Sequence, residues 1–367
     1  MKNVVIIYGA KSCEHDISII TACLARGYFA NHCVYGVYLD KDNVAYLIPN
    51  DYTPAAHVKE SFKNKVVFLT GERALGIMRR NRICKKINID VAVNCCHGAH
   101  GEDGTAAAIC GLLNVPFVGS GITSSAIAMD KILTKRVLHS LDMPVVNGFE
   151  ADVQTAEQLE ELSKGYKFPL IVKPNTLGSS IGVELCRNLD ELTEGVYRAL
   201  KYDGRVLVEE ALTDFTELNC AAMRTCNAAV VSRVDVPVTA NDLLTFEDKY
   251  IESSAESAEN NGNKISRLIT EQVQALTRSI YEKLGYGGVI RVDYLYDNVT
   301  DKLYVNEINS IPGSLAYGLF SDRYAILQYG DMLIKQAEED YAKTAMLTTT
   351  FNSSVLSGGT GAKRRKK

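Results

Sequence analysis

Apolar runs of strand length alternate with helical stretches along the first third of the chain. The pattern predicts a strand at 3–8 and a helix from Glu14 to Phe29. The other elements predicted in this region are strands at Cys33–Leu39, Val66–Leu69 and Asp90–Asn94 and a helix at Thr105–Leu113. Such alternation is typical of a parallel sheet with helices on its faces. Ligands of these sheets bind at the carboxyl ends of the strands, where the loops Gly9–Asp16 and His97–Thr105 follow.

From about Ile122 the pattern changes to that of an α+β fold. Predicted helices are Ser124–Leu141, Ala156–Ser163, Asp190–Lys201, Ser266–Leu284 and Asp322–Lys343. Predicted strands are Val145–Glu150, Phe168–Val172, Val183–Cys186, Val206–Glu209, Leu218–Arg224, Ala228–Val236, Gly288–Tyr296 and Lys302–Asn309. The polar stretch Glu252–Lys264 predicts a mobile loop, and the turn at Asp297–Asp301 predicts an antiparallel hairpin. The expected divisions of the chain are 1–121, 122–212, 213–350 and a flexible basic tail at 351–367.

The charge distribution argues against nucleic acid as a partner. The chain has 40 Lys and Arg residues against 44 Asp and Glu, and the last five residues are all basic. Without that tail the body carries 35 basic and 44 acidic residues, a net charge of −9 that disfavours binding to phosphate backbones. The tail is consistent with a solvated chain end or with a contact to an anionic partner.

Hydropathy and cysteine content indicate the cellular compartment in which the protein is expected. No apolar stretch approaches the ~20 residues that a membrane-spanning helix needs, so no membrane partner is expected. The apolar run at the start is too short for a secretory signal. The 10 cysteines include no Cys-x-x-Cys pair. We therefore expect reduced thiols in the cytoplasm rather than disulfides or a structural zinc site.

A Gly/Ser loop follows the predicted strand that leads into Lys173. The residues from Asn175 to Gly182 can turn backbone N–H groups and hydroxyls toward phosphate oxygens. Lys173 would add a fixed positive charge for the same phosphates. A hairpin with an ordinary polar turn explains the segment equally well, and the Walker pattern is absent.

Two successive predicted strands carry a set of polar residues. Side chains alternate along a strand, so Arg291 and Asp293 share one face. By the same rule Glu307 and Asn309 share one face of the next strand. Pairing of the strands would bring two carboxylates and an amide together beside an arginine, and Mg²⁺ prefers such oxygen ligands. The alternative is a surface ladder of salt bridges, which the apolar neighbours on both strands disfavour.

A glycine-framed run extends from His97 to Thr105. Its three glycines require special backbone angles or the close approach of a ligand. This framing makes His97 a candidate site residue, although a packed loop histidine is the commoner explanation. The end of the run also resembles a helix start, with Asp103 or Thr105 as the cap.

Taken in order, these segments resemble the D-alanine–D-alanine ligases of the ATP-grasp superfamily. The supporting segments are Glu14–Ser18, His97–Thr105, Gly119–Gly121, Ala128–Lys131, Lys173–Gly182, Asp248–Tyr250, Arg291–Asp293 and Asn306–Gly313. They follow the family's order and span roughly residues 3–345. The resemblance implies a mixture of α/β and α+β structure: an N-terminal parallel-sheet (pre-ATP-grasp) domain, followed by a two-lobed ATP-grasp fold.

The same resemblance implies an ATP-dependent, ADP-forming ligase that joins two D-alanines for peptidoglycan precursor synthesis. The first carboxylate takes the γ-phosphoryl group, and the amine of the second D-alanine attacks the acyl phosphate. Such chemistry needs charge neutralisation and positioning more than covalent help from the protein. The implied metals are two Mg²⁺ ions, or Mn²⁺ in their place, and the implied assembly is a homodimer.

Matching motif positions carry the family's site residues onto this chain. The expected catalytic residues are Glu14, Ser179, Tyr250, Arg291 and Gly313. The expected ATP contacts are Lys131, Lys173, Gly178, Ser180, Glu209, Leu212, Glu217 and Lys249. The expected metal ligands are Asp293, Glu307 and Asn309, and the expected substrate contacts are His97, Ser314, Tyr317 and Leu319. Ser179 is expected to link Glu14 to Tyr250 on the mobile loop, whose closure would protect an acyl phosphate from water.

One position departs from the family pattern. The family supplies a Ser/Leu pair for the carboxylate of the second substrate, and here Gly318 replaces the serine while Leu319 keeps the leucine. Either Ser314 or Tyr317 compensates, or the second pocket takes another acceptor, or the change is a harmless variation within a subgroup.

Three functions are therefore compared. The first is a D-alanine–D-alanine ligase, and the second is an ATP-grasp ligase with D-serine, another amino acid or an amine as acceptor. The third is a nucleotide-binding sensor without turnover. Retention of both predicted metal carboxylates, Asp293 and Glu307, argues against the sensor because binding alone has no need of them.

Overall fold

The computed structural model describes residues 1–49, 53–59, 62–152, 155–225, 228–237 and 265–353. The predicted mobile loop Glu252–Lys264 lies outside these residues, as does most of the predicted tail. Among the residues described, no helix combines the length and the apolar character needed to cross a membrane.

The described residues form strands and helices along the whole length of the chain. In chain order the strands are β1 (Asn3–Gly9), β2 (Cys33–Leu39), β3 (Ala45–Ile48), β4 (Val66–Leu69), β5 (Ala74–Arg79), β6 (Arg82–Asn88), β7 (Val91–Asn94), β8 (Phe117–Val118), β9 (Gly148–Ala151), β10 (Leu170–Pro174), β11 (Glu184–Cys186), β12 (Val206–Glu210), β13 (Phe215–Thr225), β14 (Ala228–Asp235), β15 (Val289–Asp297) and β16 (Lys302–Asn309). The α-helices are α1 (His15–Tyr28), α2 (Pro54–Lys59), α3 (Thr105–Leu113), α4 (Ile122–Met129), α5 (Lys131–Ser140), α6 (Ala156–Ser163), α7 (Leu189–Ala199), α8 (Arg267–Lys283), α9 (Tyr317–Phe320) and α10 (Ile326–Ala345).

The N-terminal sheet has the order β3-β2-β1-β7-β8. β1 pairs in parallel with β2 and β7, and β7 pairs in parallel with β8. Only the edge strand β3 is antiparallel to its neighbour. All but the first residue of β1 are buried, as expected of a strand covered by helices on both faces. The predicted parallel sheet is confirmed.

One prediction for this region is wrong in its placement. Val66–Leu69 forms a strand, but it belongs to a separate antiparallel sheet of order β4-β5-β6 rather than to the parallel sheet. Sequence patterning missed β5 and β6 altogether. Six of the seven residues of β6 are exposed, so this strand carries little of the apolar signal by which buried strands are recognised.

Two further four-stranded sheets follow, and all their strand pairs are antiparallel. The central sheet has the order β11-β10-β12-β9, and the C-terminal sheet has the order β14-β13-β15-β16. The hairpin predicted at Asp297–Asp301 is the connection between β15 and β16. The predicted order of a parallel-sheet region followed by two α+β lobes is thus confirmed.

The N-terminal sheet shares a hydrophobic core with the last helices of the chain, which places their loops side by side. Buried side chains of β1 and β7 pack in one cluster with Tyr28 of α1, Phe320 of α9 and Tyr329 of α10. The segment from Ile311 to Ala316 contributes to the same cluster. The loops after β1, β7 and β16 therefore converge at the carboxyl edge of the N-terminal sheet.

Candidate active site

The predicted cluster of two carboxylates, an arginine and an amide lies on the paired strands β15 and β16. Asp293 is in register with Glu307, and Arg291 is in register with Asn309. The Arg291 guanidinium makes hydrogen bonds of 2.6 and 2.7 Å to the two carboxylate oxygens of Asp293. Asn309 Nδ2 donates to Asp293 Oδ2 at 3.0 Å. Alternation along the strands thus predicted this clustering correctly.

The cluster offers the donor chemistry of a magnesium site. Asp293 and Glu307 supply carboxylate oxygens, and Asn309 supplies an amide oxygen. Mg²⁺ takes such ligands while phosphate oxygens of a substrate complete its shell. Across the part of the chain that the structure describes, no three His, Cys, Asp or Glu side chains converge as a metal site. The donor set therefore fits a cation shared with a phosphate-bearing ligand better than one held by protein alone.

Lys173 lies near the end of β10 and faces the same cluster. Its Nζ donates to Glu209 Oε2 at 2.7 Å and to Asn306 Oδ1 at 3.0 Å. Asn306 belongs to β16, the strand that carries Glu307 and Asn309. Lys173 therefore reaches from the central sheet to the C-terminal sheet and places an ammonium group beside the predicted metal ligands.

The Gly/Ser loop after Lys173 is held against the start of α5. Lys131 Nζ donates to Leu177 O, and Lys131 N donates to Asn175 O at 3.1 Å. Ser179 and Ser180 have φ of +54° and +57°, an unfavourable left-handed conformation for non-glycine residues. These contacts hold Lys131, at the start of α5, against the loop that carries Ser180.

The carboxylate of Glu14 is enclosed by this loop and by the loop after β7. Ser179 Oγ donates to Glu14 Oε1, as the family resemblance predicted. A Cβ atom on Gly178 would lie 2.8 Å from both Glu14 carboxylate oxygens, and one on Gly98 would lie 2.9 Å from Oε2. Gly98 also has a φ of +69°. The close approach of this carboxylate, together with Ser12 Oγ at Gly98, leaves no room for a side chain at either glycine.

His97, which precedes Gly98 in the glycine-framed run, is buried. Its backbone N–H donates to Ser18 Oγ at 2.8 Å, and its Nε2 lies 2.9 Å from Thr21 Oγ1. Burial, together with the positive charge of Arg291, lowers the pKa of His97 to about 3, so the imidazole is neutral at physiological pH. Thr21 Oγ1 also accepts from Ser314 N at 3.4 Å. Sequence analysis missed Thr21, which joins the histidine to the loop after β16.

Glu102 makes a second connection between these loops. Its Oε2 accepts from Gly98 N at 2.9 Å and its Oε1 accepts from Ile311 N at 3.1 Å. Burial and the nearby charge of Glu14 raise the pKa of Glu102 to about 8. Sequence analysis gave this residue no role, although its position within the glycine-framed run was an available signal.

A left-handed turn follows Gly313. Ser314, Leu315 and Ala316 have φ of +51°, +47° and +54°. Tyr28 OH donates to Ser314 O at 2.9 Å, and Tyr329 OH donates to Leu315 O at 2.6 Å. Three consecutive non-glycine residues rarely adopt this conformation, so the surrounding contacts must hold it in place.

The departure at Gly318 lies just beyond this turn. A Cβ atom on Gly318 would meet no heavy atom within 4 Å, so the space of a serine side chain is open. Tyr317 OH donates to Tyr324 O at 3.3 Å, which engages the hydroxyl proposed as one replacement. Leu319 packs against the core cluster that contains Phe320.

The remaining predicted ATP contacts lie on or near the central sheet, on the C-terminal sheet, or outside the described residues. The Glu209 carboxylate lies between Lys135 and Lys173, 2.7 Å from each ammonium group. Burial opposes ionisation, but the two lysines hold the pKa of Glu209 at about 2. Leu212 and Glu217 are half-buried, after β12 and on β13 respectively. The predicted residues Lys249 and Tyr250 fall outside the residues that the structure describes.

Comparison with known proteins gives matches along nearly the whole chain. Residues 3–120 match the family model for the D-ala D-ala ligase N-terminus, and residues 134–330 match that for the C-terminus. A D-alanine–D-alanine ligase of Thermosipho africanus is 32% identical over 349 residues, which covers 93% of this chain and 94% of that protein. One from Campylobacter lari is 31% identical over 340 residues, covering 92% and 95%.

Solved structures resemble the chain to a similar extent. A D-alanine–D-alanine ligase from Helicobacter pylori superposes with a TM-score of 0.75 at 27% identity and covers 92% of this chain and 99% of its own. The VanG D-Ala:D-Ser ligase of Enterococcus faecalis has the same TM-score and coverage at 22% identity, which shows a common fold only. With both family models matched and relatives above 30% identity along most of its length, the chain belongs to the D-alanine–D-alanine ligase family.

Proposed function

We propose that the chain is an ATP-dependent ligase that joins two D-alanines into D-alanyl-D-alanine through an acyl phosphate. The observation that supports this proposal is the contact between Lys173 and Asn306: the ammonium group predicted to bind phosphate lies beside the carboxylate–amide cluster of Asp293, Glu307 and Asn309. Phosphoryl transfer requires positioned cations at the transferred group. The product serves as a precursor of peptidoglycan.

The first step transfers the γ-phosphoryl group of ATP to a carboxylate oxygen of the first D-alanine, and ADP leaves. Lys131, Lys173 and the Gly/Ser loop with Gly178 and Ser180 bind and orient the phosphates. Asp293, Glu307 and Asn309 would hold Mg²⁺, which would supply positive charge to neutralise the transferred group. The Glu209 carboxylate already pairs with two lysines. We therefore assign the contact with adenine to the backbone between Glu209 and Leu212. Glu217 is assigned to the ribose.

The second step forms the peptide bond. The amine of the second D-alanine attacks the acyl carbon, and phosphate leaves with one of the original carboxylate oxygens. Arg291 and the backbone N–H of Gly313 stabilise the negative charge that develops on the acyl oxygen. Glu14 holds the ammonium group of the first D-alanine, and the neutral His97 forms part of the pocket wall.

Gly318 supports a second candidate, a ligase of this family with a different acceptor. Without a serine hydroxyl, the second pocket has one donor fewer for a carboxylate, and its space is open. D-serine, another amino acid or an amine would fit that description. Competition between D-alanine and another acceptor separates the two candidates. If D-alanine is the acceptor, its addition suppresses the product that contains the other compound. If the other compound is the acceptor, its product forms in preference to D-alanyl-D-alanine.

The direct experiment is phosphate release from ATP with Mg²⁺ and D-alanine, with products identified by mass. Release together with the dipeptide is expected. Release that requires another amino acid would favour the second candidate, and the absence of release across a panel of amino acids would overturn the substrate assignment.

The compartment, oligomeric state and domain divisions of the enzyme are proposed on the same basis. We assign it to the cytoplasm as a homodimer that binds only small-molecule substrates. None of the nine cysteines among the described residues forms a disulfide, in keeping with a reducing compartment. Exposed apolar side chains of Leu112 and Ile122 offer a surface for a second copy. The N-terminal, central and C-terminal sheets support domain divisions near residues 121 and 212.

A further inference from the structure

Lys135 is a buried lysine that none of the preceding assignments uses. It lies on α5, one turn after Lys131, and its side chain is 10% exposed. Its Nζ is 2.7 Å from Glu209 Oε1 and donates to Val305 O at 3.1 Å. Lysine side chains are rarely buried to this extent unless they are paired, so the contacts require an explanation.

The partner of Lys135 is shared with the predicted phosphate-binding lysine. Lys173 Nζ lies 2.7 Å from the other Glu209 oxygen and donates to Asn306. Val305 and Asn306 are neighbours on β16. Each lysine therefore joins one oxygen of the same central-sheet carboxylate to the strand that carries the predicted metal ligands.

The charges of this cluster do not balance. Two ammonium groups face the Glu209 carboxylate, which can compensate only one of them where little water reaches, and the further acidic group that acts on Lys135, Glu307, is one of the predicted metal ligands. Burial lowers the pKa of Lys135, whereas the pKa of Glu209 is held at about 2, so the carboxylate stays ionised. Without the Lys135 charge, Glu209 and Lys173 would form a neutral pair, and the ammonium group of Lys173 would be compensated before any phosphate arrived.

We propose that Lys135 is a positioning residue for nucleotide binding, which shares the Glu209 carboxylate and thereby leaves the charge of Lys173 available to the triphosphate. This inference rests on the proposed function, because the nucleotide contact of Lys173 is part of that proposal. The inference goes beyond the proposed function because Lys135 acts through Glu209 and needs no contact with ATP.

The test compares Lys135→Met, which keeps most of the side-chain length, with Lys135→Gln, which keeps a hydrogen-bond donor but removes the charge. Lys135→Arg restores the charge. Lys2→Met is the control, because Lys2 also pairs with a glutamate, Glu338, but precedes β1 at the amino edge of the N-terminal sheet. KM for ATP, KM for D-alanine and kcat are measured for each variant, and the affinity for ADP with Mg²⁺ is measured by calorimetry.

We expect Lys135→Met and Lys135→Gln to raise KM for ATP and the dissociation constant for ADP about 10- to 100-fold, the effect of losing one interaction with a charged group. In the same two variants, KM for D-alanine and kcat should change by less than about threefold. Lys135→Arg should recover most of the ADP affinity, and Lys2→Met should behave as the wild type. If Lys135→Met does not fold, Lys135→Gln decides by the same criterion.

Two results would overturn the inference. One is an ADP affinity of Lys135→Gln equal to that of the wild type. The other is an equal loss in KM for ATP, KM for D-alanine and kcat, which would indicate a purely structural role. If the wild type binds ADP but forms no dipeptide, the proposed function fails while the ADP affinities still test Lys135. If the wild type binds no nucleotide, both fail.

Discussion

Ser179 donates a hydrogen bond to Glu14 across 165 positions of sequence. The serine lies in the Gly/Ser loop beyond the central-sheet lysine, and the glutamate opens the helix that follows the first strand. The bond therefore joins the loop assigned to ATP phosphates to the carboxylate assigned to the ammonium group of the first D-alanine. The two substrates of the first chemical step would meet at this contact.

Ser179→Ala tests that contact. Loss of a hydrogen bond to a charged group costs about 1.5–3 kcal/mol, so kcat/KM for D-alanine should fall about 10- to 100-fold at saturating ATP. KM for ATP should change much less, because the lysines remain. Ser163→Ala, which removes a hydroxyl bonded to Glu160 O on α6, is the control and should leave the steady-state constants unchanged. Equal behaviour of the two variants would contradict the role of Ser179.

Glu307→Gln tests the catalytic hairpin. The amide keeps the shape of the side chain but removes a negative charge that a shared Mg²⁺ requires, so phosphate release should fall at least 100-fold, roughly the effect of about 3 kcal/mol. Asp301→Asn, at the other end of the same hairpin, should retain activity and folding. A Glu307→Gln protein that functions normally would favour the nucleotide-binding sensor over either ligase.

Gly318→Ser tests the departure in the second-substrate pocket. No atom lies within 4 Å of the added Cβ, so the variant should fold as the wild type does. If D-alanine is the acceptor, the added hydroxyl gains a hydrogen bond to its carboxylate, worth about 1 kcal/mol, and KM for the acceptor falls a few-fold. Gly318→Ala is the matched control without the hydroxyl. A Gly318→Ser variant that loses D-alanine but retains another acceptor would support the alternative ligase.

Buried His97 should make the protein less stable in acid. Its pKa of about 3 in the folded state lies below the ordinary value of 6.5, so the unfolded chain binds the proton first as the pH falls. The penalty is absent above pH 6.5 and grows down to about pH 3, reaching at most about 3 kcal/mol at pH 4. Urea unfolding of His97→Gln at pH 7 and pH 4 should show a smaller loss than the wild type. His139→Gln, at an exposed position on α5, should lose as much as the wild type.

Periodicity predicted the parts of the site that lie on regular strands. Arg291, Asp293, Glu307 and Asn309 follow the two-residue repeat of a strand, so their common face could be derived from the sequence once the hairpin was recognised. Contacts between distant loops could not be derived in this way. Thr21 lies on a helix whose pattern indicates only burial, and its bond to His97 depends on how α1 packs against the loop after β7.

Other features were hidden because their cause lies in a different sheet. Lys135 looks like an ordinary helix residue, and only the approach of β12 and β16 reveals its pairing with Glu209 and Val305. Gly98 was expected to need a special backbone angle or the close approach of a ligand, and Gly178 was expected to contact ATP, but the close approach of Glu14 to both positions required the fold. Strand β6 escaped notice because most of its side chains face solvent.

The most direct test of the central claim follows an oxygen atom. D-alanine labelled with ¹⁸O in its carboxylate is incubated with ATP, Mg²⁺ and the protein, and both the phosphate and the peptide are examined by mass spectrometry. Transfer through an acyl phosphate predicts D-alanyl-D-alanine together with phosphate that carries one ¹⁸O atom from the carboxylate. Dipeptide formed with unlabelled phosphate, or phosphate released without dipeptide, would contradict the account.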